Sequence, residues 1–213
     1  MGTYRKGILG SFSGKVGTVV GSSWNGIDYM RSLPRPSSKA PTDLQLIQRV
    51  KLALATGFLR PVSALVNIGY KSLAVKQTGF NVATAQVIAD AFTGIYPDLE
   101  IDYSKVLISK GNLTGAWNAV AASNAANTLN LSWTDNSGSG TGKPDDKAVL
   151  LAYNAEQNQY VYTINGGERS TGVDSLLLPA NFSGDTVHIW IAFIAADKKT
   201  ISTSIYAGTV VVD

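Results

Sequence analysis

Thr186-Val187-His188-Ile189-Trp190-Ile191-Ala192-Phe193-Ile194-Ala195 is a run of β-branched, aromatic and small apolar residues. Bounded by Gly184-Asp185 before it and Asp197 after it, such a run reads as a strand. Residues two apart share a face of a strand, so His188 is expected beside Trp190 and opposite Val187 and Ile189. The run has neighbours of the same kind near Trp117–Ala121, Leu129–Thr134, Ala148–Tyr153, Tyr160–Ile164, Ser175–Leu178 and Ile201–Val212. Gln157-Asn158 and Asn165-Gly166-Gly167 separate some of them as hairpin turns, and the Gly/Ser-rich segment Asp135–Asp146 is the longest loop. Seven short strands in about 100 residues predict an antiparallel β-sandwich, immunoglobulin- or fibronectin-like, with Trp117, Trp133 and Trp190 expected in its core. The chain has no cysteine, so an antibody-type disulfide is excluded.

Moving toward the N-terminus, Asp98-Leu99-Glu100-Ile101-Asp102-Tyr103 alternates strictly and reads as a half-buried strand, with Val106–Ser109 following it. Before it lie three helical stretches. Leu44, Ile47, Val50, Leu54 and Phe58 recur at helical spacing after Thr42, whose hydroxyl and Gln45 form a capping box. Gly57 and Pro61 are expected to end that helix, and Pro61 to open a short second one through Leu65 and Ile68; Ala83–Phe92 is the third. Earlier still, Lys15–Trp24 and Ile27–Leu33 flank Asn25-Gly26, the preferred two-residue hairpin turn. Glycines at 7, 10, 14, 17 and 21 punctuate this region, either for flexibility or for close backbone approach. Pro34, Pro36 and Pro41, with Ser37 and Ser38, make an extended connector. The expected class is therefore α+β: a Gly-rich β-hairpin and short helices followed by a C-terminal β-sandwich. Three regions result: a basic hairpin and proline arm over 1–41, a helical region with an acidic strand over 42–112, and the sandwich over 113–213.

Of 213 residues, 45% are apolar and only 15% charged, against about 25% charged in ordinary domains, and 21 are glycine. This composition excludes disorder and suits a turn-rich β-protein that covers surface by assembling. The net charge of +3 hides an asymmetry. Residues 1–76 hold eleven Lys and Arg against two acids, a net of +9; residues 77–213 hold seven against thirteen, a net of −6. Such poles favour head-to-tail association or an anionic partner at the basic end. Gly7 to Val20 lacks the apolar stretch of a secretory signal, so synthesis in the cytoplasm without a signal peptide is expected, with a virion or extracellular assembly as final sites left open. No apolar stretch approaches the length of a membrane-spanning helix.

Catalytic chemistry finds little footing. His188 is the single histidine, and no local carboxylate or nucleophile completes a triad. Gly138-Ser-Gly140-Thr-Gly142-Lys143 imitates a phosphate loop, but Ser137 stands where its first Gly belongs and Pro144 where its hydroxyl belongs; Gly14-Lys15 fails likewise, with Leu9 and Val16 at those positions. Asp98, Glu100 and Asp102 share one strand face about 6.5–7 Å apart, which reads as a solvated face before a calcium site. Asp145-Asp146 sits in the long loop, expected without fixed geometry. No catalytic, cofactor-binding or metal-ligating residue is assigned, no cofactor is expected, and the chain is expected not to be an enzyme. The residues singled out are a candidate assembly interface: Gly14, Gly17, Gly21, Trp24, Tyr29, Arg31 and Arg35.

Gly10-Ser-Phe-Ser-Gly14-Lys15-Val16-Gly17-Thr-Val-Val-Gly21-Ser-Ser-Trp24-Asn-Gly26, then Tyr29-Met-Arg31-Ser-Leu-Pro34, resembles an uncharacterised family of bacterial proteins of about this length. Pro41-Thr42, Gln45, Gln48-Arg49, Tyr96-Pro97-Asp98 and Ser109-Lys110-Gly111-Asn112-Leu113 extend the likeness over essentially the whole chain. Residues 7–60 also look like a segment of phage and prophage structural proteins, in which a Gly-rich hairpin leads through a proline segment into a helix. That likeness implies an assembly role and no catalytic residue.

Three functions are then open. The first is a self-assembling structural protein of a phage-like particle or bacterial filament, a homo-oligomer or polymer whose hairpin and arm pair with a neighbour's sheet edge. Other structural proteins are possible partners. The second is a binding module whose sandwich recognises carbohydrate or a cell-surface ligand through Tyr153, Tyr160, Tyr162 or Trp190. The third is nucleic-acid binding by Arg31, Arg35, Lys39, Arg49 and Lys51, with Trp24 and Tyr29 for stacking.

Overall fold

A computed structural model describes residues 2–4, 10–24, 26–35 and 38–213, with the backbone alone of Tyr4. In chain order the strands are β1 (Thr3–Tyr4), β2 (Phe12–Val16), β3 (Val19–Trp24), β4 (Ile27–Ser32), β5 (Phe92–Thr93), β6 (Glu100–Ile101), β7 (Trp117–Ala125), β8 (Thr128–Thr134), β9 (Lys147–Asn154), β10 (Gln159–Thr163), β11 (Val173–Leu177), β12 (Thr186–Ile194) and β13 (Ile205–Val211). The helices are α1 (Asp43–Leu59), α2 (Ser63–Gly69) and α3 (Gly79–Asp90). The chain divides into two units, one ending at Leu46 and the other running Ile47–Asp213.

The larger unit contains a β-sandwich. Its seven strands are those the sequence marks, and they form two antiparallel sheets of order β10-β9-β12-β13 and β11-β8-β7. Alternate residues decide the packing. Leu129, Leu131 and Trp133 of β8 and Leu176 of β11 point inward, against Ala148, Leu150 and Ala152 of β9 and Val187, Ile189, Ile191 and Phe193 of β12. Face-to-face packing of two sheets in this way, with four strands on one side and three on the other, gives an immunoglobulin- or fibronectin-like sandwich.

The four-stranded sheet is buried on its other face too. Val149, Leu151 and Tyr153 of β9 and Trp190, Ala192 and Ile194 of β12 pack beneath the helices, against Phe58, Leu59, Leu65, Val66, Ala83 and Val87. This is why β9 and β12 read as continuous apolar runs: a strand buried on both faces has no polar side to alternate with. The helices and the sandwich consequently form one compact unit, where the sequence reading separates 42–112 from 113–213. An extended stretch ties the layers together: Trp190 Nε1 donates to the Val106 carbonyl (2.9 Å), Ile108 N to Ser204 Oγ (2.9 Å) and Ser109 Oγ to the Ser202 carbonyl (2.8 Å).

Local corrections have local causes. Thr42 and Gln45 do exchange capping hydrogen bonds (Thr42 N to Gln45 Oε1, 3.2 Å; Gln45 N to Thr42 Oγ1, 3.4 Å). The helix passes through Gly57 to Leu59, and α2 then departs at 95°. The third helix starts four residues early, at Gly79, because Thr78 Oγ1 caps Asn81 N. The strand expected over Asp98–Tyr103 shrinks to β6, since the Asp102 carboxylate accepts from Ser104 N (3.1 Å) and turns the chain. Asp102 also pairs with Lys105 at 3.1 Å, so the three acids do not share a strand face. Trp117, expected in the core, lies at the start of an edge strand and is half exposed. No helix among the described residues is long and apolar enough to cross a membrane, although α1 and α2 pass that test as a bent pair.

The smaller unit is a four-stranded antiparallel meander, β1-β2-β3-β4, where the sequence predicts a two-stranded hairpin. Val16 pairs with Val19, so a two-residue turn closes the β2–β3 hairpin, and Trp24 pairs with Ile27 at the end of the β3–β4 ladder. Asn25, half of the expected Asn-Gly turn, lies outside the described residues, as do Gly7, Pro36 and Ser37; Gly26 has φ +80°, as such a turn requires.

Candidate assembly interface

The meander is built on glycine for two separate reasons. Gly17 closes the β2–β3 turn at φ +58°, a conformation that most side chains avoid. Gly21 instead allows close approach: a Cβ there would overlap the Phe12 carbonyl oxygen and stand 2.7 Å from its ring. Gly14 faces Gly21 across the ladder, at φ +102°.

Register sorts the remaining candidates by face. Trp24 pairs with Ile27, Ser22 with Tyr29 and Val20 with Arg31, so Trp24, Ile27, Tyr29, Val20 and Arg31 lie on one face, joined by Lys15. Val16, Val19 and Met30 lie on the other, with Gly14 and Gly21 between them. Arg35 follows the last strand and lines a depression of about 790 Å³ with Arg31, Met30, Leu33 and Val19. Six of the seven candidates therefore gather on one small sheet, Trp24, Tyr29 and Arg31 on one face and the glycines at its turns and centre, and Arg35 lies just past its last strand.

Both faces are open. Met30 is 71% exposed and Trp24 51%, and every residue of β4 is exposed. Among the described residues before Ala55, Gly21 alone is buried, so no side chain there forms a core. β4 is also an edge strand: its ladder to β3 turns the Met30 and Ser32 peptide groups outward.

The other sequence candidates occupy structural positions. His188 does share a face with Trp190; its Nδ1 lies 2.8 Å from the Tyr206 hydroxyl, its ring lies 4.4 Å from that of Tyr103, and burial lowers its pKa. Tyr153 and Trp190 are buried beneath α1, Tyr160 packs with them, and of the proposed sugar contacts only Tyr162 is exposed. Burial likewise pushes the Tyr103 and Tyr160 hydroxyls well above the ordinary tyrosine range. Arg49 and Lys51 belong to the larger unit, where Lys51 Nζ stands 5.4 Å over the Phe92 ring, and Arg31 and Arg35 belong to the smaller.

Asp146 corrects the expectation of a loop without fixed geometry. It is fully buried, and its Oδ2 accepts from Lys143 N (2.8 Å) and Arg169 Nε (3.0 Å). Arg169, equally buried, also donates to Asn136 Oδ1 and the Thr114 carbonyl and stacks 3.9 Å over Phe193. Gly142 packs against its guanidinium, so the phosphate-loop imitation is the lid over a buried ion pair. Nothing in the spacing of Asp146 and Arg169 marks them as partners.

Among solved structures, the fn3 domain of the human collagen alpha-1(XX) chain, determined in solution, is similar over 47% of this chain and 87% of that one, at 15% identity and a TM-score of 0.34. No curated protein matches the sequence. The model of a family of unknown function, DUF6266, matches residues 11–208, and the chain belongs to that family.

Proposed function

We propose that the chain is a non-enzymatic structural protein that assembles with copies of itself through the N-terminal meander and arm, as a building block of a phage-like particle or bacterial filament. One observation carries this reading. The meander exposes Val19, Trp24, Ile27, Tyr29 and Met30 and has no buried side chain among its described residues. A small sheet needs an apolar face covered to be stable, and an open edge beside exposed apolar residues is a template for pairing. A neighbouring copy supplies the cover. The poles of +9 and −6 favour a head-to-tail encounter of like chains.

The non-enzymatic part draws support from the side chains with catalytic potential. His188 bonds to Tyr206, Asp102 to Ser104 and Lys105, and Asp146 to Arg169, each a partnership that holds the fold. Electron microscopy of the purified chain tests the proposal: rings, tubes or filaments are expected, and they disappear when residues 2–40 are deleted. A field of single particles of monomer size overturns it.

A further inference from the structure

The four-stranded sheet is covered on both faces, but the three-stranded sheet is covered on one. Its outer face has an unusual plan. Val120 of β7 and Val173 of β11 flank Ser132 in one cross-strand row, Leu177 lies opposite Thr128, and Trp117 opposite Thr134. Val120 is 59% exposed, Val173 60% and Leu177 75%. The two edge strands thus form apolar rails, and the outward residues of β8 form a polar floor. Between them is a trough of about 460 Å³ lined by Val120, Ala122, Asn130, Ser132, Val173 and Asp174. Single exposed aliphatics are ordinary on a protein surface; a set arranged along one sheet face marks a contact site.

We propose that this trough receives the Trp24–Tyr29–Arg31 face of the meander of a second copy, so that copies join head to tail. The inference rests on the reading of the meander as an assembly surface and names what that surface meets. Strands of six residues, as in β3 and β4, span about 20 Å, a match to the seven residues of β8, and sheets pack face to face through interdigitated side chains. Charge agrees in sign: Arg31 and Lys15 lie on the meander face beside Trp24, Ile27 and Tyr29, while the trough belongs to the part of the chain that carries a net −6. Pairing along the β11 edge is the competing geometry, and that edge is blunted. The Val173 carbonyl accepts from Thr171 Oγ1 (3.0 Å) and Ser175 N donates to Asp174 Oδ1 (2.8 Å), which occupies outward-facing groups. Because the two surfaces differ, the contact is heterologous and repeats into a ring or filament.

Two full-length variants test this by light scattering after size exclusion. One blocks the donor (Trp24→Ala, Tyr29→Ala and Arg31→Glu together); the other blocks the acceptor (Val120→Lys and Leu177→Lys). At a concentration where the unmodified chain is oligomeric, each variant alone is expected as a monomer, and an equimolar mixture as a species of twice the chain mass and no larger. If the acceptor variant assembles like the unmodified chain while the donor variant does not, the trough is wrong and the role of the meander stands. If both are monomers and the mixture stays monomeric, the two blocked surfaces do not meet each other and this inference fails. If the unmodified chain is itself a monomer, both readings fail. Should the double acceptor variant misfold by circular dichroism, Leu177→Lys alone is expected to weaken association about tenfold or more, and an unchanged association overturns the inference.

Discussion

Arg169 and Asp146 form an ion pair of 3.0 Å in which neither side chain is reached by solvent. The guanidinium fills the space between the long Gly/Ser loop and Phe193, donating to Asn136 Oδ1 and the Thr114 carbonyl and stacking over the Phe193 ring. Replacing one partner leaves the other buried and uncompensated, which costs far more than the pair contributes. Arg169→Met is therefore expected to lower stability by about 3–5 kcal/mol, read as a fall in the urea midpoint at unchanged slope. Adding Asp146→Asn to that variant should recover part of the loss. A loss under about 1 kcal/mol would mean the pair is not buried as described.

His188 gives the fold a pH dependence of defined sign. Burial lowers its pKa below the ordinary 6.5, so the unfolded chain binds the proton more readily than the folded one. Stability from this site is present above 6.5 and is lost as pH falls below it toward the folded pKa. Melting temperature should fall between about pH 7 and 5 in the native chain, and that part of the fall should vanish in His188→Gln. An identical pH profile in the two proteins would show that His188 is not desolvated.

What the sequence disclosed follows from what each residue's neighbours in the chain can show. The seven sandwich strands are legible because β8 alternates inward Leu129, Leu131 and Trp133 with outward Asn130 and Ser132. The capping box at Thr42 is legible because it is local. The cover over β9 and β12 was present as a signal, in runs without a polar face, but a sequence does not say what lies on the second side. Trp117 misleads because tryptophan is apolar wherever it lies, and its exposure depends on an edge position. Arg169 and Asp146 are 23 residues apart and meet only after two sheets close, so no spacing rule finds them. Of the candidate interface, the glycines and the pairing of β3 with β4 are legible; the added pairing of β2, which turns a hairpin into a meander, is hidden in a Gly-Thr turn that carries little turn signature.

The two glycine roles in the meander separate under substitution. Gly17→Asn should be tolerated, since Asn reaches positive φ, while Gly17→Val should not. Gly21→Val places atoms where the Phe12 carbonyl lies and should part β2 from β3. Amide exchange over residues 12–24 is expected to accelerate in Gly17→Val and Gly21→Val alone, with loss of assembly and no change in the melting of the larger unit. Equal exchange in all three variants would contradict this account of the meander.

The most direct test of the assembly claim compares two masses by light scattering at one concentration: the full chain, and the chain lacking residues 2–40. The larger unit carries its own two-sided core, so the truncated protein is expected to stay folded. The full chain is expected at several times its monomer mass, falling as salt rises, and the truncated chain at monomer mass with the strands of the larger unit retained. A full chain that remains monomeric at high concentration, or a truncated chain that assembles as before, would contradict it.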